Sequence, residues 1–217
     1  MKKDTKLYGL LIAAGKSGRM GNYKPLLTFQ GLPFSVGIVI KMLSVCDKVG
    51  IVIGYKAEEL KNKISEHLTN PDSFPSQLKE KLIEINRPHL ITRVNFIMNG
   101  DYKKGMFTSL QCGIKHVKDG DWILYHFVDQ PNLLSSFYEE FTSNIDNKFD
   151  WIQPKYKDRN GHPILIKNSL FKMIIDSGWE SDLKSISSTG LVKKKYWNCS
   201  HSQILMDFDR PEDLAGL

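Results

Sequence analysis

Gly15, Gly18 and Gly21 recur every third residue within the stretch Leu7 to Leu27, and Lys16, Arg19 and Lys24 are threaded among them. Glycines let backbone N–H groups approach a ligand closely, and interleaved cations suit a polyphosphate. No acidic residue occurs between Thr5 and Asp47, so nothing nearby in sequence opposes a bound anion. Basic loops are more often simply solvated, but three cations beside glycines at a strand's end favour phosphate binding. Carboxylates stand farther along the chain. Asp129-Gln130-Pro131 follows an apolar run, and Asp207 and Asp209 lie near the C-terminus. Such an Asp either holds a hard cation such as Mg²⁺ or caps a helix. Asp207 and Asp209, two apart, share a face if the chain is extended there.

The elements that must carry these groups alternate in type. Leu7 to Ala14 is an apolar run of the density expected of a buried parallel strand. The glycines that follow are not the dinucleotide fingerprint G-x-G-x-x-G, and strand two, Lys48 to Tyr55, lacks the ribose-binding acid at its end. The P-loop pattern also fails, because Asn22 stands where Lys should follow Gly21. Pro33 suits a helix start, Phe34 to Cys46 reads as a helix on a sheet, and Ala57 to Leu68 as a charged amphipathic helix. Residues 69–93 are irregular apart from a helical patch, QLKEKLIEI. Arg93 to Met98 is strand three. Asp121 to Val128 is strand four, which puts Asp129 beyond a carboxyl end, where open α/β sheets bind ligands. Pro131 opens the next helix, with Leu133 to Ile145 helical. Trp151 to Tyr156 and His162 to Lys167 form a hairpin turning through Lys157 to Gly161, with Asn160-Gly161 as the turn signal. Gln203 to Met206 is the last strand, and Pro211-Glu212-Asp213 starts a terminal helix.

The chain has 217 residues, 41% hydrophobic and 25% charged, which fits one soluble α/β domain with a substantial core. The net charge of +6 is spread rather than striped, and only Lys193 to Lys195 forms a run. With no basic-aromatic array, nucleic acid is a poor partner. Cys46, Cys112 and Cys199 support neither a disulfide framework nor a zinc spacing, which points to a reducing cytoplasm. The apolar part of the N-terminal segment is only about eight residues and runs into the glycines, so it is not read as a signal peptide. No run approaches the roughly 18 apolar residues that span a bilayer.

The motif A-A-G-x-S-x-R-M-G-x-x-K-x-L-L at Ala13 to Leu27 resembles the molybdenum cofactor cytidylyltransferases, within the MobA-like NTP transferases. Three further segments carry the likeness. Asn99, Tyr102, Gly105, Met106, Ser109 and Leu110 match N-x-x-[WY]-x-x-G-M-x-x-S-L; Arg159, Gly161, His162 and Pro163 match R-x-G-H-P; and Asp207 to Leu214 matches D-[IV]-D-T-P-E-D-L, with Phe208 and Arg210 as departures. The family's G-D-x-G-x-R segment is not reproduced around Gly178 and Asp182.

The resemblance implies a three-layer α/β/α fold with a mostly parallel sheet, Rossmann-like, as a single NTP transferase domain over 1–217. Its part up to about residue 130 would bind nucleotide and the rest the acceptor. It implies a nucleotide site at Ala13, Ala14, Gly15, Lys16, Ser17, Gly18, Arg19, Lys24 and Ser109, a Mg²⁺ site at Asp129 and Asp207, and acceptor contacts at Gly161 and His162. Met106 and Leu110 are expected in the core. Arg19 would hold the leaving β and γ phosphates, Lys24 the α-phosphate, and Asp129 the metal, with Asp129, Lys24 and Arg19 as the catalytic set. The implied reaction is CMP transfer from CTP, or another NTP, to molybdopterin, with a molybdoenzyme or its chaperone as a further partner. The alternatives are a nucleotidyltransferase for a sugar or polyol phosphate, and a cofactor-binding chaperone without turnover; retention of the four charged residues favours the enzyme.

Overall fold

The computed structural model describes residues 5–70, 74 and 89–214. Strand β1 (Leu7–Ile12) leads to a short hairpin of β2 (Thr28–Phe29) and β3 (Leu32–Pro33), helix α1 (Phe34–Val45), β4 (Lys48–Ile53), α2 (Ala57–Thr69) and β5 (Val94–Met98). Helix α3 (Met106–Ile114), β6 (Trp122–Phe127) and α4 (Ser135–Thr142) follow. The last part carries β7 (Trp151–Tyr156), β8 (Arg159–Asn160), β9 (Ile164–Lys167), α5 (Phe171–Asp176), α6 (Leu183–Ser187) and β10 (Lys194–Asn198). The main sheet runs β10-β7-β9-β6-β1-β4-β5, with β8 paired to β7. Strands β6, β1, β4 and β5 are mutually parallel, and β9 is inserted antiparallel between β6 and β7.

Burial explains this arrangement. β1 lies between two parallel neighbours and is buried along nearly its whole length, as an apolar run without alternation requires. Its successive side chains go to opposite faces. Leu11 joins α1, α2 and α4 on one side, whereas Leu10 and Ile12 join α3, α5 and α6 on the other. Helix α2 buries Leu60, Ile64 and Leu68 at four-residue spacing, and Glu58 and Glu59 sit favourably in its first turn. Because β4 and β6 flank β1 on opposite sides, a crevice opens beyond the carboxyl end of β1 between the loops after β1 and β6, where such sheets place ligands.

Several sequence expectations are corrected. Pro131 lies in a turn, and the helix begins four residues later at Ser135, ending at Thr142. Within the expected turn, Lys157 to Gly161, the chain reverses at Lys157 and Asp158, both with positive φ (44° and 62°), and Asn160 of the Asn160-Gly161 signal already lies in β8. Gln203 to Met206 is not a strand but contains a 3-10 turn (Ser202–Leu205); the edge strand is instead β10, which holds two of the three lysines of the basic run. The terminal helix is a single 3-10 turn, Pro211–Leu214. Asp182 caps α6 through Ser185 in a capping box, a local structural duty. The QLKEKLIEI patch lies outside the described residues. No helix of the described residues is long and apolar enough to cross a membrane.

Candidate active site

The chain leaves β1 through Ala13 and Ala14, each 1% exposed, which lock the loop's start to the end of the adjacent strand β4. The Ala13 N–H donates to Val52 O (2.9 Å), and Ala14 O accepts from the Tyr55 N–H (3.0 Å). Ser17 then takes a left-handed conformation (φ 56°), and its Oγ accepts from the Lys24 N–H (3.0 Å), closing the loop on itself. Met20 is the loop's apolar anchor, buried with Phe34 and Phe208. A Cβ added at Gly15 or Gly18 would meet nothing within 4 Å. Their small size is therefore not demanded by packing within the protein, and they leave backbone open to a ligand.

Phe208, a departure from the family pattern, has a physical role. Its ring packs on Phe34 (centroids 5.9 Å) and Phe29 (6.2 Å), and its N–H donates to Asp129 O (2.9 Å). This ties the C-terminal segment to the turn after β6. Gln130 adds a second tie, donating to Asp207 Oδ1 (2.8 Å) and Ile204 O (3.2 Å).

The charged groups converge between these two segments. Lys24 is only 8% exposed; its Nζ lies 2.7 Å from Asp209 Oδ1 and 3.7 Å from Asp129 Oδ2. Arg19 Nη1 reaches the other Asp209 oxygen at 2.8 Å. One carboxylate thus engages two of the loop's three cations, and the Lys24 hydrogen bond holds Asp209 below the usual carboxylate range. Asp129 is in the opposite state. Burial pushes it up to about 6, with Lys24 opposing and Asp207 and Asp209 adding repulsion. Among the described residues its buried Oδ1 has no hydrogen-bond partner. Asp207 is also raised by burial, against the stabilising bond from Gln130. Asp209 does not cap the terminal turn; Asp213 does, accepting from the N–H groups of Asp209 and Arg210.

The cavity here measures about 280 Å³. Of the residues expected at a nucleotide site, Ala13, Gly15, Ser17, Gly18, Arg19, Lys24 and Ser109 line it, together with Asp129. Ala14 acts through its carbonyl behind the loop, and exposed Lys16 does not line the cavity. Gly105, at φ 126°, frees the chain to start α3, which delivers Ser109. Asn99, itself buried, donates to the hydroxyls of Thr108 (3.0 Å) and Ser109 (2.9 Å), so the Ser109 proton remains available to another acceptor. Leu110 is in the core as expected, but Met106 is not: it is 56% exposed and lines the cavity with Tyr102. Asp207 lies outside the lining and Asp209 within it. The sequence reading favoured Asp207 over Asp209 for the metal; what reverses their places is the buried Phe208 between them and the Gln130 bond, neither visible as a local pattern.

Gly161 and His162 lie on the far side of Phe127, a cavity-lining residue whose ring is 4.6 Å from that of His162. His162 is half-buried, and desolvation pushes it down to about 4; among the described residues its buried Nδ1 has no hydrogen-bond partner. A Cβ on Gly161 would fall 2.5 Å from Ile204 O, the carbonyl that accepts from both the His162 N–H and Gln130. Gly161→Ala is therefore expected to destabilise the chain by about 1–3 kcal/mol, the usual range for overpacking. It should also lower turnover, because the displaced Ile204 carbonyl is linked to Asp129-Gln130; thermal melting with steady-state kinetics checks both. A melt and a turnover equal to wild type would show that this contact yields freely.

Among the described residues, no three His, Cys, Asp or Glu side chains form a ready metal cage. Mg²⁺ does not require one, since it keeps waters and is held by one or two carboxylates plus substrate phosphates. The bare, buried Asp129 Oδ1 beside two further carboxylates is a donor set that suits such an ion.

Comparison with known proteins fits this geometry. A family model described as MobA-like NTP transferase domain matches residues 9–188. The molybdenum cofactor cytidylyltransferase of Escherichia coli (strain K12) is 22% identical over 205 residues, covering 94% of this chain and 91% of that protein. A probable molybdenum cofactor guanylyltransferase of Bacillus cytotoxicus is 24% identical over 173 residues, covering 76% and 73%. Among solved structures, Rv0371c from Mycobacterium tuberculosis H37Rv superposes with a TM-score of 0.75 at 15% identity, over 99% of this chain and 97% of that one. The same protein has been solved in complex with manganese (TM-score 0.70, 14% identity, 98% of each chain).

Proposed function

The chain belongs to the MobA-like NTP transferase domain family and is a nucleotidyltransferase, and on that premise we propose that it transfers CMP from CTP to the phosphate of molybdopterin. The observation that carries this reading is the convergence of Arg19 and Lys24 on Asp209, beside the bare oxygen of Asp129. A carboxylate there occupies the place of a phosphate. A triphosphate would take the two cations over, with Arg19 on the β and γ phosphates and Lys24 near the α-phosphate. The backbone at Gly15 and Gly18 and the Ser109 hydroxyl complete the cradle.

Transfer forms a bond from an acceptor phosphate oxygen to the α-phosphorus and breaks the bond from that phosphorus to the bridging oxygen, so that pyrophosphate leaves. The acceptor oxygen is already ionised, and no general base is needed. Positioning and charge neutralisation supply most of the acceleration. Lys24, shielded from water, offsets the charge that grows on the α-phosphoryl oxygens, where low polarity strengthens its effect. Asp129 and Asp209 are the residues that would hold Mg²⁺; Asp209 replaces Asp207 in this role because it lines the cavity and Asp207 is bound to Gln130. When bound, the ion would neutralise the triphosphate and draw charge from the α-phosphate. His162 and Gly161 would bound the acceptor side beyond Phe127. The choice of CTP and molybdopterin rests on the relative matched over 94% of this chain and on the A-A-G-x-S-x-R-M-G loop.

The test is pyrophosphate release by the purified protein with Mg²⁺ and each of the four NTPs, with and without molybdopterin. Release with CTP only when molybdopterin is present is the expected result. Release with GTP and molybdopterin would move the base assignment, and release only with a sugar or polyol phosphate would move the acceptor. Binding of CTP·Mg²⁺ without release from any pair would replace the enzyme by a carrier.

A further inference from the structure

Helix α1, FSVGIVIKMLSV, is apolar apart from two serines, whose hydroxyls bond to Pro25 O and Lys41 O, and one long cation. Lys41 sits between Ile40 and Met42, both buried. Among the described residues it has no carboxylate partner, and burial alone pushes its ammonium down to about 8. Its Nζ donates to one protein acceptor, the carbonyl of Pro131, at 2.8 Å. Burying an ammonium without a counter-ion is unfavourable, and a hydrocarbon side chain would suit this helix better. The lysine therefore calls for a reason, and its acceptor supplies one, because Pro131 ends the triplet that carries Asp129.

Three ties hold this triplet from outside. Asp129 O accepts from the Phe208 N–H, the Gln130 side chain reaches Ile204 and Asp207, and Pro131 O accepts from Lys41. The first two run to the C-terminal segment, which carries Asp207 and Asp209 and belongs to the site itself. The Val128 N–H, donating to Ile12 O (3.3 Å), ties the start of the turn to β1, and among the described residues the Lys41 bond is the tie that runs from its far end to a helix packed on the sheet. Nearby, His126 Nδ1–H donates to Phe127 O (2.7 Å) while its Nε2 accepts from the Tyr138 hydroxyl (2.8 Å), so the strand end before the turn is pinned as well. Proline has no N–H of its own to close the turn. Without Lys41 the Pro131 carbonyl would be left bare and free to shift.

We propose that Lys41 is a positioning residue for nucleotidyl transfer: through the Pro131 carbonyl it fixes the Asp129 carboxylate against the sheet, beside Lys24. This rests on the reading of Asp129 as a metal ligand given above. Lys41 touches neither substrate nor metal, and acts only by placing the turn.

The test uses the full chain as wild type, Lys41→Met and Lys41→Arg, with three readouts: thermal melting, Mn²⁺ affinity in the presence of CTP by water-proton relaxation, and pyrophosphate release. Lys41→Met is expected to fold and to melt within a few degrees of wild type, because a hydrocarbon chain fits α1. Its Mn²⁺ affinity and kcat should both fall by about 10–100-fold, the usual penalty for losing an outer support of a metal ligand. Lys41→Arg keeps a donor and should restore most of that loss. Wild-type Mn²⁺ affinity in folded Lys41→Met overturns the proposal. So does a Lys41→Met chain that fails to fold, which would make Lys41 a stability residue, and so does a folded Lys41→Arg as impaired as Lys41→Met. Wild type that binds Mn²⁺ with CTP yet releases no pyrophosphate defeats the catalytic reading instead, and leaves the positioning role to be decided by the Mn²⁺ affinities.

Discussion

Lys24→Ala is expected to lower kcat by about 10²–10³-fold, or roughly 2.7–4 kcal/mol of transition-state stabilisation, with the fold preserved. The magnitude follows from where the ammonium sits. It is 8% exposed, within reach of two carboxylates and at the wall that an α-phosphate would face. In a surface loop a single cation is worth little, because water screens it and its side chain must be ordered. Here it is already ordered by Asp209, so little further cost falls on the reaction. The fold survives because Lys24 shapes the loop through its backbone: its N–H donates to Ser17 Oγ and its carbonyl accepts from the Leu27 N–H, and alanine keeps both. The loss should appear mainly in kcat rather than in KM for the nucleotide, because charge on the α-phosphoryl group grows only toward the transition state. Lys24→Arg is not expected to restore it, since the planar fork needs more room than a nearly closed wall provides. Single-turnover pyrophosphate release separates chemistry from product release, and an unchanged single-turnover rate in Lys24→Ala would remove Lys24 from the chemistry.

The first half of the fold was legible because its strands are buried on both faces and its loop is chemically distinctive. LYGLLI cannot be partly exposed without cost, and it became the central strand with neighbours on both sides. The second half was harder to read because tertiary demands outweighed local signals. Asn160-Gly161 is a strong hairpin signal, yet the turn is made by Lys157 and Asp158. Gly161 is small for another reason, the approach of Ile204 O, which leaves no room for a Cβ. The QILM run around Ile204 reads as a strand, but Ile204 O serves His162 and Gln130 instead of a ladder, and the segment coils into a 3-10 turn. In β10 the lysines suggested a solvated face. Charged residues are common on a sheet's edge, where one side of the strand has no neighbour. At the site, the loop cations were legible from type and spacing alone. That Asp209 faces them was not, because its orientation is set by burial of Phe208, far along the chain from the loop and beyond any local window. Met106 was assigned to the core with Leu110 as an apolar side chain; here the helix begins at the cavity's rim, and Met106 faces the cavity.

Asp129→Asn should separate stability from activity in opposite directions. The substitution keeps shape and removes only the charge. The carboxyl's folded pKa is raised from 3.8 to about 6, chiefly by burial. A raised acid means that the folded state holds the proton more tightly than the unfolded one. Its contribution to stability is therefore fully present below pH 3.8 and is lost as the pH rises through about 6, so ionised Asp129 is a burden at pH 7. In metal-free buffer at pH 7 the asparagine variant is thus expected to melt at or above wild type, and the gap should close as the pH falls from 6 toward 4. Activity should move the other way. An amide offers a neutral oxygen where the site presents a bare carboxylate oxygen, and hard divalent cations favour charged oxygen ligands. Pyrophosphate release should fall by at least about 10²-fold. The Mg²⁺ concentration for half-maximal rate should rise, and added Mg²⁺ should recover part of the rate but not all of it. Melting curves over that pH range in EDTA, with Mg²⁺ titrations of the rate at pH 7.5, check both halves. A variant with wild-type rate and wild-type Mg²⁺ dependence would release Asp129 from the metal site, and the bare Oδ1 would then need a different ligand. A variant that melts far below wild type would instead mean that the Lys24 contact outweighs the cost of burying the charge, and that Asp129 is held ionised by its neighbours even before any metal arrives.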